Sequence, residues 1–192
     1  MSDTMDKIKI EVYTRYPLSS VLIYNGATVL HFLLGAMGII LGYSFSWAGY
    51  VFGSVYFALA FLQMYVIMPL TVCPNCVYYR RKDSLCTSGL NLVSRKIGKE
   101  GDVKDFAKRA EGLFCHNHLY MAALIIPIIA MVPALILNFS LSLLAILLAV
   151  VGLLLFRFFV LFSITACVHC AAKYKCPNAE AMGLAKDSRL QR

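Results

Sequence analysis

Charge is what this chain has little of. Of its 192 residues, 15% are Asp, Glu, Lys or Arg and 60% are hydrophobic, whereas a soluble domain carries about 25% charged and about 45–50% apolar residues. No charged residue occurs from Pro17 to Tyr79, from Gly112 to Phe156, or from Phe158 to Ala172. The two long runs far exceed the roughly 20 apolar residues that cross a bilayer, which excludes a soluble fold. Other absences narrow the reading. Asp3, Asp6 and Glu11 precede the first apolar run and no small-residue cleavage site stands out before the second span, which argues against a cleaved signal peptide. No second mid-membrane histidine accompanies His31, so a haem iron there would lack an axial partner. No acyl-transfer motif accompanies Cys115-His-Asn-His118, so a thiol nucleophile beside a base is set aside.

Each long uncharged run must fold back on itself, at Gly42–Gly49 in the first and at Pro133–Ser142 in the second. The expected fold is all-α and polytopic. Four transmembrane helices, about Leu18–Leu41, Ala48–Leu70, Leu119–Leu137 and Leu141–Thr165, form two hairpins. The organisation is an amino-terminal arm (1–17), a first transmembrane hairpin (18–72), a basic cysteine-containing segment (73–117), a second hairpin (118–166) and a cysteine-containing tail (167–192). Lys and Arg concentrate in the arm, the central segment and the tail and avoid both turns, so the positive-inside rule puts these three regions and both termini in the cytoplasm. A prokaryotic-type inner or plasma membrane is the expected location. The formal net charge of +8 is then a topology signal whose partner is the lipid bilayer with its anionic headgroups, not nucleic acid.

Six of the seven cysteines fall into two matching sets: Cys73-Pro-Asn-Cys76 followed by Cys86, and Cys167-Val-His-Cys170 followed by Cys176. Each set lies at the end of an uncharged stretch, and the orientation places both in a reducing compartment, which disfavours structural disulfides. Residues three apart on a helix are neighbours, so two helix ends side by side would converge four sulfurs. Such a set suits an iron–sulfur cluster or tetrahedral zinc. Cys86 and Cys176 complete two sites or one larger cluster, and Cys115 and His118 are candidates for further ligands at the start of the third helix. Proline after a ligand cysteine, as in Cys73-Pro74 and Cys176-Pro177, tips the choice toward iron–sulfur, although the spacing is not that of a ferredoxin. Arg80, Arg81, Lys82, Lys173 and Lys175 lie close in sequence and are expected to lower the thiol pKa values.

Other residues carry their own expectations. Gly38–Gly42 and Gly49–Gly53 are GxxxG pairs that would let the first two helices approach closely. His31 is expected to be neutral and bonded to a neighbouring helix. Arg157, the one charged residue within a span, is expected to snorkel to the headgroups. The sharper alternative puts it under the metal site, and with His31 it would face a cofactor or a quinone-like carrier. Two amphipathic helices are expected in the central segment, one from Leu90, Val93 and Ile97 with Ser88 as cap, the other from Val103, Phe106, Ala107, Ala110 and Leu113 with Asp102 as cap, both lying on the cytoplasmic membrane surface with Lys and Arg outward or lidding the cysteine site. Lys7–Tyr13 alternates as a strand or extended arm would. Tyr13, Tyr16, Tyr24, Trp47, Tyr50 and Tyr120 read as interfacial aromatics.

The expected function is electron transfer between a soluble redox partner and a lipid-soluble carrier, through a cysteine-ligated iron–sulfur centre. One alternative is a zinc-stapled scaffold whose basic helices dock a partner enzyme. Another is the handling or transport of a thiophilic metal ion, which no cysteine deep in a span supports. No catalytic residue is identified.

Overall fold

The structure, a computed structural model, describes residues 11–184. Among them it is all-helical, with two isolated β-bridges and no strand. Four helices are long and apolar enough to cross a membrane: α1 (Leu18–Gly42), α2 (Trp47–Asn75), α4 (His116–Leu137) and α5 (Leu141–Ala166). The shorter α3 (Leu90–Ile97) lies in the segment between α2 and α4. The bundle packs around α1, which touches α2, α4 and α5. Its outward residues, such as Leu22, Leu59, Ile129 and Leu148, are exposed and apolar, the surface that lipid rather than water would cover.

Glycines set the closest approaches. A Cβ on Gly53 would lie 2.7 Å from Ile40 Cγ1 and 3.0 Å from the Ala36 carbonyl oxygen, so α2 presses onto α1 there, as its GxxxG pair predicts. The pair on α1 serves other neighbours. Gly38 faces Met131 and Ile146, and Gly42 faces Ala134 and Leu143, so this stripe admits α4 and α5 rather than α2.

Two spans leave regular α geometry as they near the cysteines. In α2 the stretch Gln63–Ile67 is π-helical, just before Pro69. Proline has no N–H to donate and crowds the carbonyl four residues back, and a wider turn there absorbs the mismatch. In α5 the π-helical stretch runs from Arg157 to Ala166.

The central segment differs from its sequence pattern. Helix α3 forms, but its cap is Gly89 at φ 71°, not Ser88. Its buried residues are Leu90, Asn91 and Ser94, while Val93 and Ile97 are exposed. The second expected helix is a 3₁₀ segment, Val103–Ala110; Asp102 caps it as expected, accepting from the Lys104 amide at 2.9 Å, and Phe106 is its buried anchor. Of the alternating stretch Lys7–Tyr13, residues 7–10 lie outside the described part. Tyr13 and Arg15 form the two bridges, to Cys170 and Leu85.

Candidate functional site

Both CxxC pairs close the same local turn. The Cys76 amide donates to the Cys73 carbonyl (3.0 Å) and the Cys170 amide to the Cys167 carbonyl (3.3 Å). Neither pair lies within an α-helix: Cys73 opens a 3₁₀ turn, and Cys76 is extended and precedes a one-turn helix, Val77–Arg80. The expectation that helices run through the cysteines is therefore corrected. Three-residue closure replaces it and still sets the paired residues close together.

The amino-terminal arm stitches the two sets together. The Tyr13 amide donates to the His169 carbonyl and the Tyr16 amide to the Leu85 carbonyl, each at 2.9 Å. The Tyr78 hydroxyl donates to the Tyr13 carbonyl (2.6 Å) and accepts from the Ala171 amide (3.1 Å). The Tyr16 hydroxyl donates to the Ala166 carbonyl. Tyr16, Val21, Tyr78 and Leu85 form a buried cluster against which Cys76, Cys86 and Cys170 pack. Tyr16, read from sequence as an interfacial aromatic, is in fact a core residue. Behind Cys86, the buried Asn91 accepts from the Cys86 amide (3.1 Å) and donates to the Ser84 carbonyl (2.9 Å).

The outcome is one cavity of about 180 Å³ lined by all six paired-set cysteines: Cys73, Cys76, Cys86, Cys167, Cys170 and Cys176. The rest of its wall is mostly apolar or aromatic, including Met64, Met68, Phe106 and Phe162. Among the described residues, no three His, Cys, Asp or Glu side chains converge closely enough to hold a single metal ion. The sulfurs surround a volume instead of meeting at a point. Cys115 and His118 do not line it. Cys115 is the buried cap of α4, its Sγ accepting from the His118 amide at 3.4 Å, and His118 Nδ1 bonds the Leu113 carbonyl at 3.1 Å.

The thiols do not behave as the nearby sequence charges suggest. Burial pushes Cys76 and Cys167 up to about 12 and Cys170 up to about 11, and neighbouring cysteines add repulsion in each case. The expected lowering by Arg80 and its neighbours is thus overturned. Arg80 pairs with Glu100 (3.0 Å) and Lys173 donates to the Val168 carbonyl (3.0 Å). The one charged residue in the described cavity wall is Arg109, which opposes the shift at Cys76 and Cys167. Its Nε donates to Asn117 (3.1 Å), and Asn117 donates to Asn178 (2.6 Å), tying the 3₁₀ segment, α4 and the carboxy-terminal turn around the cavity. Sequence reasoning missed Arg109 because it is far along the chain from every cysteine that it faces.

His31 and Arg157 lie deeper. His31 is fully buried, its Nε2 donates to the Leu124 carbonyl at 3.1 Å, and its Nδ1 has no partner. Its expected bond to a neighbouring helix is present, and it does not reach the cavity. Arg157 does not snorkel. It is 1% exposed, donates to Thr28 Oγ1 (2.5 Å) and to the Tyr120 hydroxyl, and lies 5.3 and 5.6 Å from the Tyr24 and Tyr120 ring centroids. Both rings line the cysteine cavity.

Among the described residues the chain is all-helical, with four helices long and apolar enough to cross a membrane and one chamber lined by six cysteines. Comparison with known proteins places it in no family: no family model, curated protein or solved structure matches it.

Proposed function

We propose that this chain is an integral membrane metalloprotein that holds one iron–sulfur centre and carries electrons between a soluble redox partner and a lipid-soluble carrier. The observation that carries the reading is the single chamber lined by six cysteines from two distant parts of the sequence. Six partly buried thiols gathered around one cavity, which repel one another as thiolates, are poorly explained as packing, and a positively charged inorganic core removes the repulsion. A zinc ion needs four ligands at about 2.3 Å from one point, whereas a cluster of several metal and sulfide atoms meets ligands spread around a volume. The donor set and the chamber therefore fit a cluster better than a lone ion. Cys73, Cys76, Cys167 and Cys170 are assigned as ligands, with Cys86 and Cys176 completing the shell. The centre would supply one-electron chemistry. The protein would hold it at the ends of the spans, within a mostly apolar and aromatic wall.

The lysine and arginine distribution supports two hairpins with the chamber and both termini on the cytoplasmic side, within reach of a soluble donor. On this reading α3 and the 3₁₀ segment lie along the cytoplasmic face of the membrane, with the exposed Val93 and Ile97 toward lipid.

The test is anaerobic purification of the full chain with iron, acid-labile sulfide and zinc analysis. Iron and sulfide in a coloured protein, both lost in Cys73→Ser and in Cys170→Ser, are the expected result. Stoichiometric zinc in a colourless protein would move the reading to a zinc-stapled scaffold. Metal content unchanged in both serine variants would remove the ligand assignment altogether.

A further inference from the structure

Arg157 is a cation in a place built to exclude cations. It lies within α5, 1% exposed, and no carboxylate pairs with it among the described residues. A guanidinium does not release its proton in a protein, so its charge persists there, and burying an unpaired charge is costly unless something of opposite sign faces it. Its observed partners are neutral. The Thr28 and Tyr120 hydroxyls accept its hydrogen bonds, and the Tyr24 and Tyr120 rings offer their negative faces at 5.3 and 5.6 Å. These groups solvate the charge without cancelling it. The same two rings are wall residues of the cysteine chamber, so the groups that solvate the cation also border the cavity that the sulfurs line. Arg109 supplies a second positive charge within the wall itself.

We infer that Arg157 is the fixed countercharge of the chamber, and that the chamber takes a thiolate-ligated inorganic centre of net negative charge whose reduced form Arg157 stabilises through the Tyr24–Tyr120 wall. The inference rests on the metal centre proposed above and adds the sign of its charge and the residue that balances it. Arg157 acts by its field, touching neither sulfur nor metal. A purely structural arginine would need only its two hydrogen bonds, which a neutral polar group can also make. An anion in the chamber would give the positive charge the partner of opposite sign that the described residues do not supply. Addition of an electron makes that anion more negative, so the cation favours the reduced state. Unit charges roughly 10 Å apart at an effective dielectric near 20 shift an equilibrium about tenfold.

The experiment uses the full chain purified anaerobically, with the potential of the centre titrated against mediators. Arg157→Gln removes the charge. Thr28→Asp leaves Arg157 in place and neutralises it with a carboxylate at the position of its present partner, which keeps the test available if Arg157→Gln does not accumulate. Arg157→Lys keeps the charge. The expected result is a ratio of reduced to oxidised centre, at fixed ambient potential, about tenfold lower in Arg157→Gln and in Thr28→Asp, with Arg157→Lys close to the parent. A loaded neutral variant with the parent's potential overturns the inference while leaving the metal centre standing. If the parent carries zinc instead, the readout is the rate of zinc loss to a chelator, expected about tenfold faster in the neutral variants, and an unchanged rate overturns the inference. A parent free of any metal removes both the centre and its countercharge.

Discussion

The metal-free chamber should resist thiolate chemistry well into the alkaline range. Burial and mutual repulsion hold Cys170 at about 11 and Cys76 and Cys167 at about 12, against an ordinary thiol at 9.0. Each pKa step is worth about 1.4 kcal/mol, so forming one thiolate in the empty chamber costs of order 3–4 kcal/mol. At pH 9 an ordinary thiol is half ionised, whereas Cys170 is ionised about one part in a hundred and Cys76 and Cys167 about one part in a thousand. The thiolate is the nucleophile. Alkylation of these three cysteines by iodoacetamide, followed peptide by peptide by mass spectrometry, should therefore climb about tenfold per pH unit from pH 7 to beyond pH 10. The linkage has a definite sign. These pKa values are raised in the folded state, so the stability they contribute is complete below pH 9 and is lost as pH rises through about 11 and 12. Alkylation rates that level off by pH 9.5 in the folded, metal-free chain would refute the argument, because they would mean solvated thiols and no shared low-dielectric chamber.

Two further expectations concern the scaffold. Asn91→Ala removes a buried side chain that accepts from the Cys86 amide and donates to the Ser84 carbonyl; the unpaired groups left behind should cost about 2–3 kcal/mol. Hydrogen exchange at the Cys86 amide should accelerate accordingly, and unchanged protection would refute the role. Gly53→Leu drives a side chain into Ile40 and the Ala36 backbone and should cost about 1–3 kcal/mol in detergent unfolding, whereas Gly152→Ala, where a Cβ meets nothing within 4 Å, should be neutral. Equal effects at the two positions would contradict the assigned α1–α2 approach.

The spans were legible because a bilayer enforces them. Lipid offers no hydrogen-bond partner to the backbone, so a long uncharged run has to be helical. The first helix, expected at Leu18–Leu41, runs Leu18–Gly42, and the last, expected at Leu141–Thr165, runs Leu141–Ala166. Burial within the central segment is less legible. The sequence pattern puts Leu90, Val93 and Ile97 on one stripe facing the membrane surface. The structure splits that stripe: Val93 and Ile97 are exposed, while Leu90 is buried together with the polar Asn91 and Ser94. Tyr16 and Tyr120 read from sequence as interfacial aromatics; in the fold Tyr16 belongs to the seam between the cysteine sets and Tyr120 to the cradle of Arg157.

The candidate site was half legible, and the divide follows from how each part is built. The cysteine spacing could be read because each pair closes a local turn, which needs only adjacent residues. The charges could not, because sequence distance is a poor guide to electrostatic distance once a segment doubles back. Arg80 is four residues from Cys76, yet Glu100 and the Gly101 carbonyl hold it at the surface. Arg109 and Arg157 reach the chamber or its wall through the 3₁₀ segment and the π-helical end of α5. Charges at the surface are screened by water and salt, and charges in the wall are not. On the proposed reading the half-buried Arg109 and the buried Arg157 therefore weigh more on what the chamber can hold than the exposed lysines and arginines do. An occupant of net positive charge would have to overcome both, whereas a thiolate-bound anion meets two cations already in place.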